Sequence, residues 1–361
     1  MRKRIRILPR YLLRNGLIGT LIVLLALLSI SGFINFVGQA NDIGKGNFGI
    51  EDALLYTLLT LPGAAYDMFP MAVLLGGLLA YGQLARQSEL VAMRAAGISN
   101  HQLLRSVGLT GVVLAIVMFV LGEWIAAPAG QWAKRHRALA KYQELQLAGE
   151  AGGWLRDGDQ IIHIETLNTT DKVTGLSVFS LSEDWQLVGH AQANSAELAD
   201  VGQWRLLDVI DTEFQPNQVT VLRHSEQFQE TSLNPDVLSL AAVEPSNLTF
   251  LGLWNYVTYL QDNAQNARSY QIALWGRLAN VVTAILMAML ALPFVFGGLR
   301  DSGLGQRMVL GIVIGAVYFL AQKTAYNLGL AYELNAILVA WLPVMLLALL
   351  LTYFLRQLRF A

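Results

Sequence analysis

Apolar residues dominate two long stretches of this chain, about 1–127 and 270–361. Between them lies a polar segment in which apolar positions alternate. A helix needs roughly 20 consecutive apolar residues to cross the hydrocarbon of a bilayer. Six runs meet that length, at about 16–38, 53–82, 107–127, 271–297, 308–328 and 335–355. The second contains Pro62 and Pro70 and is expected to kink or tilt, and the fourth ends near Pro293. A cleaved signal peptide is the alternative for the first run, because Gly38-Gln39-Ala40 has the small-x-small form of a cleavage site. That run is longer than a signal core of about 7–15 residues, which favours a retained span.

In the polar segment, stretches 160–167, 175–183, 186–199, 203–214 and 218–230 are short and rich in β-branched or aromatic residues. Turn signals separate them: Asp157-Gly158-Asp159, Asp171-Lys172, Glu183-Asp184, Asp200-Val201-Gly202 and Pro216-Asn217. Evenly spaced strands of this kind predict an antiparallel sandwich, jelly roll or partial barrel. The expected fold class is an α-helical membrane protein with six transmembrane helices and an inserted all-β domain. The expected division is 1–127, 128–269 and 270–361. Two readings of the alternation stay open. It builds an ordinary closed core, or it builds an open-edged interior that admits acyl chains, lined by Ile162, Ile164, Val178, Leu206, Val209, Phe214, Val219 and Val221.

Composition supports the membrane reading: 54% of residues are hydrophobic, 14% are charged and mean hydropathy is +0.45. The net charge of −1 conceals an asymmetry. Arg2, Lys3, Arg4, Arg6, Arg10 and Arg14 precede the first span, Arg86, Arg94 and Arg105 follow the second, Arg300 and Arg307 follow the fourth, and Arg356 and Arg359 end the chain. The opposite short loops, 39–52 and 329–334, hold only Lys45. Cytoplasmic loops carry the excess of Lys and Arg, so both termini are expected inside and the β-domain outside. With no cysteine there is no disulfide framework and no thiolate chemistry. Nothing in the charge pattern points to nucleic acid.

No catalytic constellation emerges. His136, His163, His190 and His224 lack metal spacing and read as surface or strand histidines. Gly38…Gly44-Lys45-Gly46 has the wrong spacing for a phosphate loop and lacks its Ser/Thr. The chain is therefore expected to bind no cofactor or metal and not to be an enzyme, with ATP and Mg²⁺ used by a separate subunit. Asn168-Thr169-Thr170 and Asn247-Leu248-Thr249 match the glycosylation triplet, a pattern common by chance.

Three features carry candidate chemistry. The stretch 83–99 predicts a short helix at about 84–96, stopped by Gly97 and followed by a Ser99…Gln102 capping box. Its Arg86, Glu89 and Arg94, with Leu90 and Met93 between, suit docking into a groove of a cytoplasmic partner; the alternative is a solvated interfacial helix with an Arg86–Glu89 pair. Second, a charge in hydrocarbon costs at least about 2.5–3.5 kcal/mol, so Asp67, Glu123, Arg277 and Lys323 stand out. With Lys134, Arg135 and Arg137 beyond the third span and Lys45 beyond the first, these bases form either a cationic rim for a multiply phosphorylated lipid headgroup or snorkelling side chains in local ion pairs. Third, Gly311 and Gly315 form a GxxxG pattern that lets another helix approach closely.

Phe69-Pro70-Met71-Ala72…Leu74-Leu75-Gly76, Ser88-Glu89-Leu90-Val91-Ala92-Met93-Arg94-Ala95-Ala96-Gly97 and Gly122-Glu123-Trp124 resemble the lipopolysaccharide-export permease family of LptF/LptG type, and its LptG-type branch more closely. Tyr270-Gln271, Phe294 to Gly298 with Leu299-Arg300, and the arginine-bearing C-terminus add weaker support, and the resemblance covers essentially the whole chain. It implies a Gram-negative inner-membrane subunit of an ABC transporter, with a periplasmic β-domain of jelly-roll type. It implies an LptF-like homologous partner, an LptB-like ATPase dimer, LptC-like and LptA-like bridge proteins, and lipopolysaccharide as cargo. By the resemblance Glu89 is the acidic coupling residue, and Lys134 and Arg137 line the cavity mouth. One position departs: Asn35 stands where the family has a lysine, so headgroup contact there is not carried over. The rivals are a lipoprotein-release permease, which has four spans, and a membrane enzyme acting on lipids.

Overall fold

The computed structural model describes residues 7–142, 153–169, 172–182, 184–200, 203–215, 218–230, 244–296 and 304–359. Arg2, Lys3, Arg4, Arg6, Leu299-Arg300 and the turn positions Asp171, Glu183, Val201-Gly202 and Pro216-Asn217 lie outside them, as does Thr170. The chain divides into two compact units. The first comprises Met1–Gly38, Thr57–Gly130 and Gln271–Ala361, and the second Gln39–Tyr56 and Gln131–Tyr270.

The helices are α1 (Ile7–Gly38), α2 (Ile50–Arg86), α3 (Glu89–Ala95), α4 (Asn100–Val120), α5 (Ala127–Tyr142), α6 (Phe250–Asp262), α7 (Arg268–Phe296), α8 (Leu304–Ala331) and α9 (Ala336–Arg359). Among the described residues six helical stretches are long and apolar enough to cross a membrane, as the hydrophobic pattern predicts. α2 remains helical through Pro62 and Pro70. A π-type segment, Leu121–Ala126, joins α4 to α5 and holds Gly122-Glu123-Trp124. Helix thus continues to Tyr142, beyond the end expected near 127.

Inside the first unit the helices approach through small residues, as expected where lipid tails provide no hydrophobic drive between helices. A Cβ on Gly76 would lie 2.4 Å from the backbone N and Cα of Thr20, and one on Gly19 would lie 2.4 Å from the carbonyl oxygen of Gly76. α1 and α2 therefore cross backbone to backbone. Leu12, Leu74, Leu78, Tyr81, Leu90, Leu103 and Met118 are fully buried in the same cluster. The helix that meets Gly311 and Gly315 is α2 of this chain: added Cβ atoms would strike Leu78 and Leu75 at the first glycine and Met71 at the second.

The second unit holds one antiparallel sheet of six strands: β1 (Gly153–Asp157), β2 (Gln160–Thr169), β3 (Lys172–Leu181), β4 (Leu187–Asp200), β5 (Gln203–Gln215) and β6 (Gln218–Glu230). The five expected strands are present, and β1 adds to them. Neighbours follow chain order, β1-β2-β3-β4-β5-β6. Among the described strands this is a meander without the crossovers of a Greek key, so the coarser description, an antiparallel six-strand sheet, is the one that holds.

A transverse crease runs across that sheet. The registers skip Glu165, Gly175, Asn194, Asp208 and Ser225, one residue on each of β2 to β6, yet pairing on either side keeps the same offset. Gly175 and Asp208 take left-handed backbone, with φ of 69° and 53°. On a regular strand, residues three apart point to opposite faces. Across the crease they point to the same one: Val173 and Leu176, Ala193 and Ala196, and Leu206 and Val209 are all buried. The sheet also curls, since Gln229 Nε2 of β6 donates to Gln160 Oε1 of β2 at 3.0 Å although the two strands are not neighbours.

α6 packs on the inner face through Tyr256, Val257, Tyr259 and Leu260. Thr249 Oγ1 caps it by accepting from Gly252 N at 3.1 Å, so the Asn247-Leu248-Thr249 triplet has a helix-starting role. Tyr259 Oη donates to the carbonyl of Arg156 at 2.8 Å, and Asn263 Oδ1 accepts from Gly158 N at 3.1 Å. Burial pushes both the Tyr256 and Tyr259 phenols well above their ordinary pKa, which keeps Tyr259 a neutral donor.

Gly76→Ala should lower the thermal unfolding temperature of the detergent-solubilised chain by the equivalent of about 1–3 kcal/mol of overpacking. Gly38→Ala, with nothing within 4 Å of its added Cβ, serves as the control. In the sheet, Asp208→Val should cost about 1–2 kcal/mol, because a β-branched side chain resists left-handed backbone, whereas Asp208→Gly should be tolerated.

Candidate functional site

The segment after α2 is shaped by local signals. The expected helix at 84–96 is divided: α2 runs on to Arg86, Ser88 adopts left-handed backbone (φ 59°) that breaks the helix, and α3 is a separate seven-residue helix, Glu89–Ala95. Gly97 (φ 87°) ends it with paired bonds, Gly97 N to Arg94 O at 2.9 Å and Ile98 N to Met93 O at 3.1 Å, the Schellman arrangement. The expected capping box is present: Ser99 N donates to Gln102 Oε1 at 3.2 Å and Gln102 N to Ser99 Oγ at 3.3 Å. Leu90 is fully buried in the helical core, with Met93 and Ile98 packed against it. The remaining surface exposes Arg86, Val91 and Arg94. Arg94 lies 5.8 Å from the ring centre of Phe296, and Glu89 Oε2 accepts from Tyr11 Oη of α1 at 2.7 Å. Tyr11 escapes sequence reasoning because 78 residues separate it from Glu89.

The six bases singled out for lipid contact, and the acids Asp67 and Glu123, divide between the two units. In the first unit, Arg277 Nη1 bonds Glu123 Oε1 at 2.5 Å, with both side chains largely buried, and its guanidinium lies 5.6 Å from the ring of Tyr66. The π-type segment carries Glu123 in this pair, a recurrent use of such widened turns. Asp67 interacts electrostatically with Arg277 and with Lys323, which is exposed on α8. Asn35 Nδ2 donates to Thr60 Oγ1 at 2.8 Å and ties α1 to α2.

In the second unit, Asp42 gathers three cations. Lys45 Nζ and Lys141 Nζ each lie 2.9 Å from Oδ1, and Arg137 Nη2 bonds Oδ2. Arg137 also stands over the ring of Tyr56 at 5.1 Å. His136 Nε2 meets Asp52 Oδ1 at 2.8 Å, and Lys134 pairs with Glu244. Arg135 is exposed. The structure thus brings Lys45 and Arg137 together and adds Lys141, while Lys134 and Arg135 take other directions. Lys45 three residues after Asp42 is the local signal for this cluster; Arg137 comes 95 residues after Asp42, and Lys141 one turn further along α5.

The predicted acyl-chain positions fall on two faces. Ile162, Ile164, Val178, Leu206 and Val209 are buried together on the inner face. Phe214, Val219 and Val221 are exposed on the other face and do not join that interior. Simple alternation would place Leu206 and Phe214 on one side; the crease at Asp208 shifts the parity between them. A narrow hollow, with room for about one water-sized molecule, lies along the inner face, lined by Ile162, Leu176, Val178, Trp204 and Leu206, with the bonded Gln160 and Gln229 beside them. Trp204 Nε1, beside the hollow, and Gln227 Oε1 are buried without a hydrogen-bond partner among the described residues. On the opposite face His163 and His190 belong to an aromatic ladder with Trp154 and Phe179, at centroid distances of 4.4–5.9 Å. Among the described residues no acidic or histidine cluster could hold a metal ion.

Removing one partner of a buried ion pair costs about 3–5 kcal/mol, because the other charge remains. Glu123→Ala should therefore destabilise the chain by about 3 kcal/mol in thermal unfolding. The double change Glu123→Met with Arg277→Met should recover most of that loss.

A family model described as lipopolysaccharide export system permease LptF/LptG matches residues 10–357. The chain is 34% identical over 339 residues to the lipopolysaccharide export system permease protein LptG of Escherichia coli strain K12, covering 93% of this chain and 94% of that protein. It is 30% identical over 356 residues to LptG of Haemophilus influenzae, covering 98% and 99% of the two chains. To LptF of Escherichia coli K12 it is 26% identical over 361 residues, covering 93% and 90%. With the match running through the membrane-length helices and the intervening sheet alike, the chain belongs to the LptF/LptG family of lipopolysaccharide export permeases.

Proposed function

We propose that this chain is an LptG-type transmembrane permease subunit of an ATP-driven exporter, drawing lipopolysaccharide from the inner membrane toward a periplasmic bridge. The observation that carries this reading is the near-full-length similarity to LptG proteins, which takes in six membrane-length helices and the inserted sheet. The rival permease layout with four spans is not favoured by these six. Both termini lie in the cytoplasm and the β-domain lies in the periplasm, as the Lys/Arg distribution supports.

The chain pairs with an LptF-like homologue over an LptB-like ATPase dimer, which uses ATP and Mg²⁺. The chain itself binds no cofactor and performs no hydrolysis. α3 and the end of α2 are the contact to the ATPase: Leu90 roots α3 in the helical core while Arg86 of α2 and Glu89 and Arg94 of α3 engage the partner. Candidate ligands for anionic headgroups are Lys45, Lys134, Arg135 and Arg137 in the second unit and, separately, Arg277 and Lys323 in the first. Among them Lys45 and Arg137, already gathered in one cluster, are the best placed. The inner face of the sheet takes acyl chains along Ile162, Ile164, Val178, Leu206 and Val209. Trp204 Nε1, without a partner among the described residues, offers a donor to an ester or amide carbonyl. The cargo then passes to LptC-like and LptA-like proteins.

In a reconstituted complex, Glu89→Lys should reduce ATP-dependent lipid release by about tenfold, the size expected when a charge-assisted contact is lost. Unchanged release and ATPase coupling would remove α3 from the coupling role. Neutralising Lys134, Arg137 and Lys323 together should weaken lipopolysaccharide crosslinking to the chain. Crosslinking at the original level would make those bases structural.

A further inference from the structure

Helix α6 has one covered side and one bare side. Leu253, Tyr256, Val257, Tyr259 and Leu260 are buried, the last four of them in the core of the sheet. Leu251 and Trp254, one turn apart on the other side, are 67% and 55% exposed. The exposed positions that follow, Asn255, Thr258, Gln261 and Asp262, are polar. The bare apolar surface is therefore confined to the N-terminal half of the helix.

Two contacts fix that end of α6 to the first half of α5. Gln131 Nε2 donates to the carbonyl of Asn247 at 3.0 Å, and Lys134 pairs with Glu244. Thr249, two residues after Asn247, caps α6. Gln131 belongs to Asn100–Ala138, a helical stretch long and apolar enough to cross a membrane. It stands four residues past the apolar run that ends near 127, about 6 Å along a helix. The headgroup layer on each side of a bilayer is about 5–8 Å thick. With the run 107–127 filling the hydrocarbon, Gln131 is at headgroup level, and its bond to Asn247 brings the start of α6 to the same level. Trp132, the next residue, is 74% exposed, and tryptophan at the ends of spanning helices collects in this layer.

We propose that Leu251, Trp254 and Trp132, all in the second unit, form an anchor that seats this unit in the headgroup layer of the bilayer. The occupant of the bare face is lipid. An interfacial helix places Leu and Trp at the boundary of headgroups and acyl chains and keeps polar residues toward water, which is the order found along α6. Tryptophan can bury its ring at that boundary and still direct its N–H to water or to a lipid carbonyl. Because the covered side of α6 packs on the inner face of the sheet, the anchor ties the sheet interior to the membrane surface. This rests on the helical runs crossing a bilayer, and on no assignment of cargo, headgroup ligand or ATPase contact.

The chain has no cysteine, so a single introduced cysteine carries a unique spin label. The test uses the full-length chain in nanodiscs of phosphatidylcholine, labelled at Leu251→Cys or, in a second sample, at Trp254→Cys. Collision of the label with oxygen, which concentrates in hydrocarbon, is compared with collision with a water-soluble nickel chelate. Trp185→Cys, exposed between β3 and β4, is the water reference, and Leu346→Cys, exposed on the membrane-length α9, is the lipid reference. The oxygen-to-nickel ratio at 251 and 254 should stand several-fold above that at 185 and approach that at 346. The two positions are read separately, and each variant leaves the other anchor residue in place. A ratio at both positions equal to that at 185 overturns the proposal. Labels shielded from both reagents would mean that protein, such as a second copy of the chain, covers this face, which also overturns it. If Leu346→Cys is as open to nickel as Trp185→Cys, the membrane reading itself fails and the anchor falls with it, a separate outcome.

Discussion

A charge taken out of water has to be given an opposite charge at bonding distance, and this constraint organises both units of the chain. A lone ion in a low-dielectric setting costs several kcal/mol, and only close, well-oriented partners offset it. In the helical unit Arg277 and Glu123 meet that demand across 154 residues of sequence, joining the π-type segment to α7. In the other unit Asp42 draws Lys45, Arg137 and Lys141 together and so fixes the loop 39–49 against α5. Asp52 adds a second clasp through His136, and its Oδ2 accepts from Gly49 N at 2.8 Å. Charges that look from the sequence like ligands waiting for a lipid are also what keeps the scaffold in register. Any lipid phosphate that binds there exchanges with bonds the protein already has.

The β-sheet solves a different problem, that of forming an apolar interior from a simple meander. A flat six-strand meander would leave one face without cover. Here the crease through Glu165, Gly175, Asn194, Asp208 and Ser225 and the curl closed by Gln229 and Gln160 turn the inner face on itself. α6 covers part of that face through Tyr256 and Leu260, and the hollow beside Trp204 is left. Because β2 to β6 each skip one residue along the same line, the crease costs no ladder offset between those neighbours.

Most of the architecture is legible in the sequence, since hydrophobic runs and alternation are local signals. Six membrane-length helices, five of the six strands, the Gly97 stop and the Ser99–Gln102 box all follow from residues within a few positions of one another. What escapes depends on contacts between distant residues. Phe214, Val219 and Val221 alternate correctly by sequence and still end on the outer face, because left-handed backbone at Asp208 is invisible to a period-two pattern. Lys141 and Tyr11 carry no motif and acquire meaning only when Asp42 and Glu89 arrive beside them. The Gly311…Gly315 pattern correctly marks a close helix approach, and it is the fold that identifies the neighbour as α2.

The left-handed residues at Ser88 and Gly97 bracket α3 on both sides. A seven-residue helix with a rise of 1.5 Å per residue is a rod of about 10 Å, jointed at each end and pinned near its start by Leu90. Such a part works as a crank: force applied to its solvent side is delivered as torque about the Leu90 pivot, and the Tyr11–Glu89 bond passes part of it to α1. A push on the exposed side of α3 would then reach α1 without either helix having to unwind, since the two joints absorb the rotation.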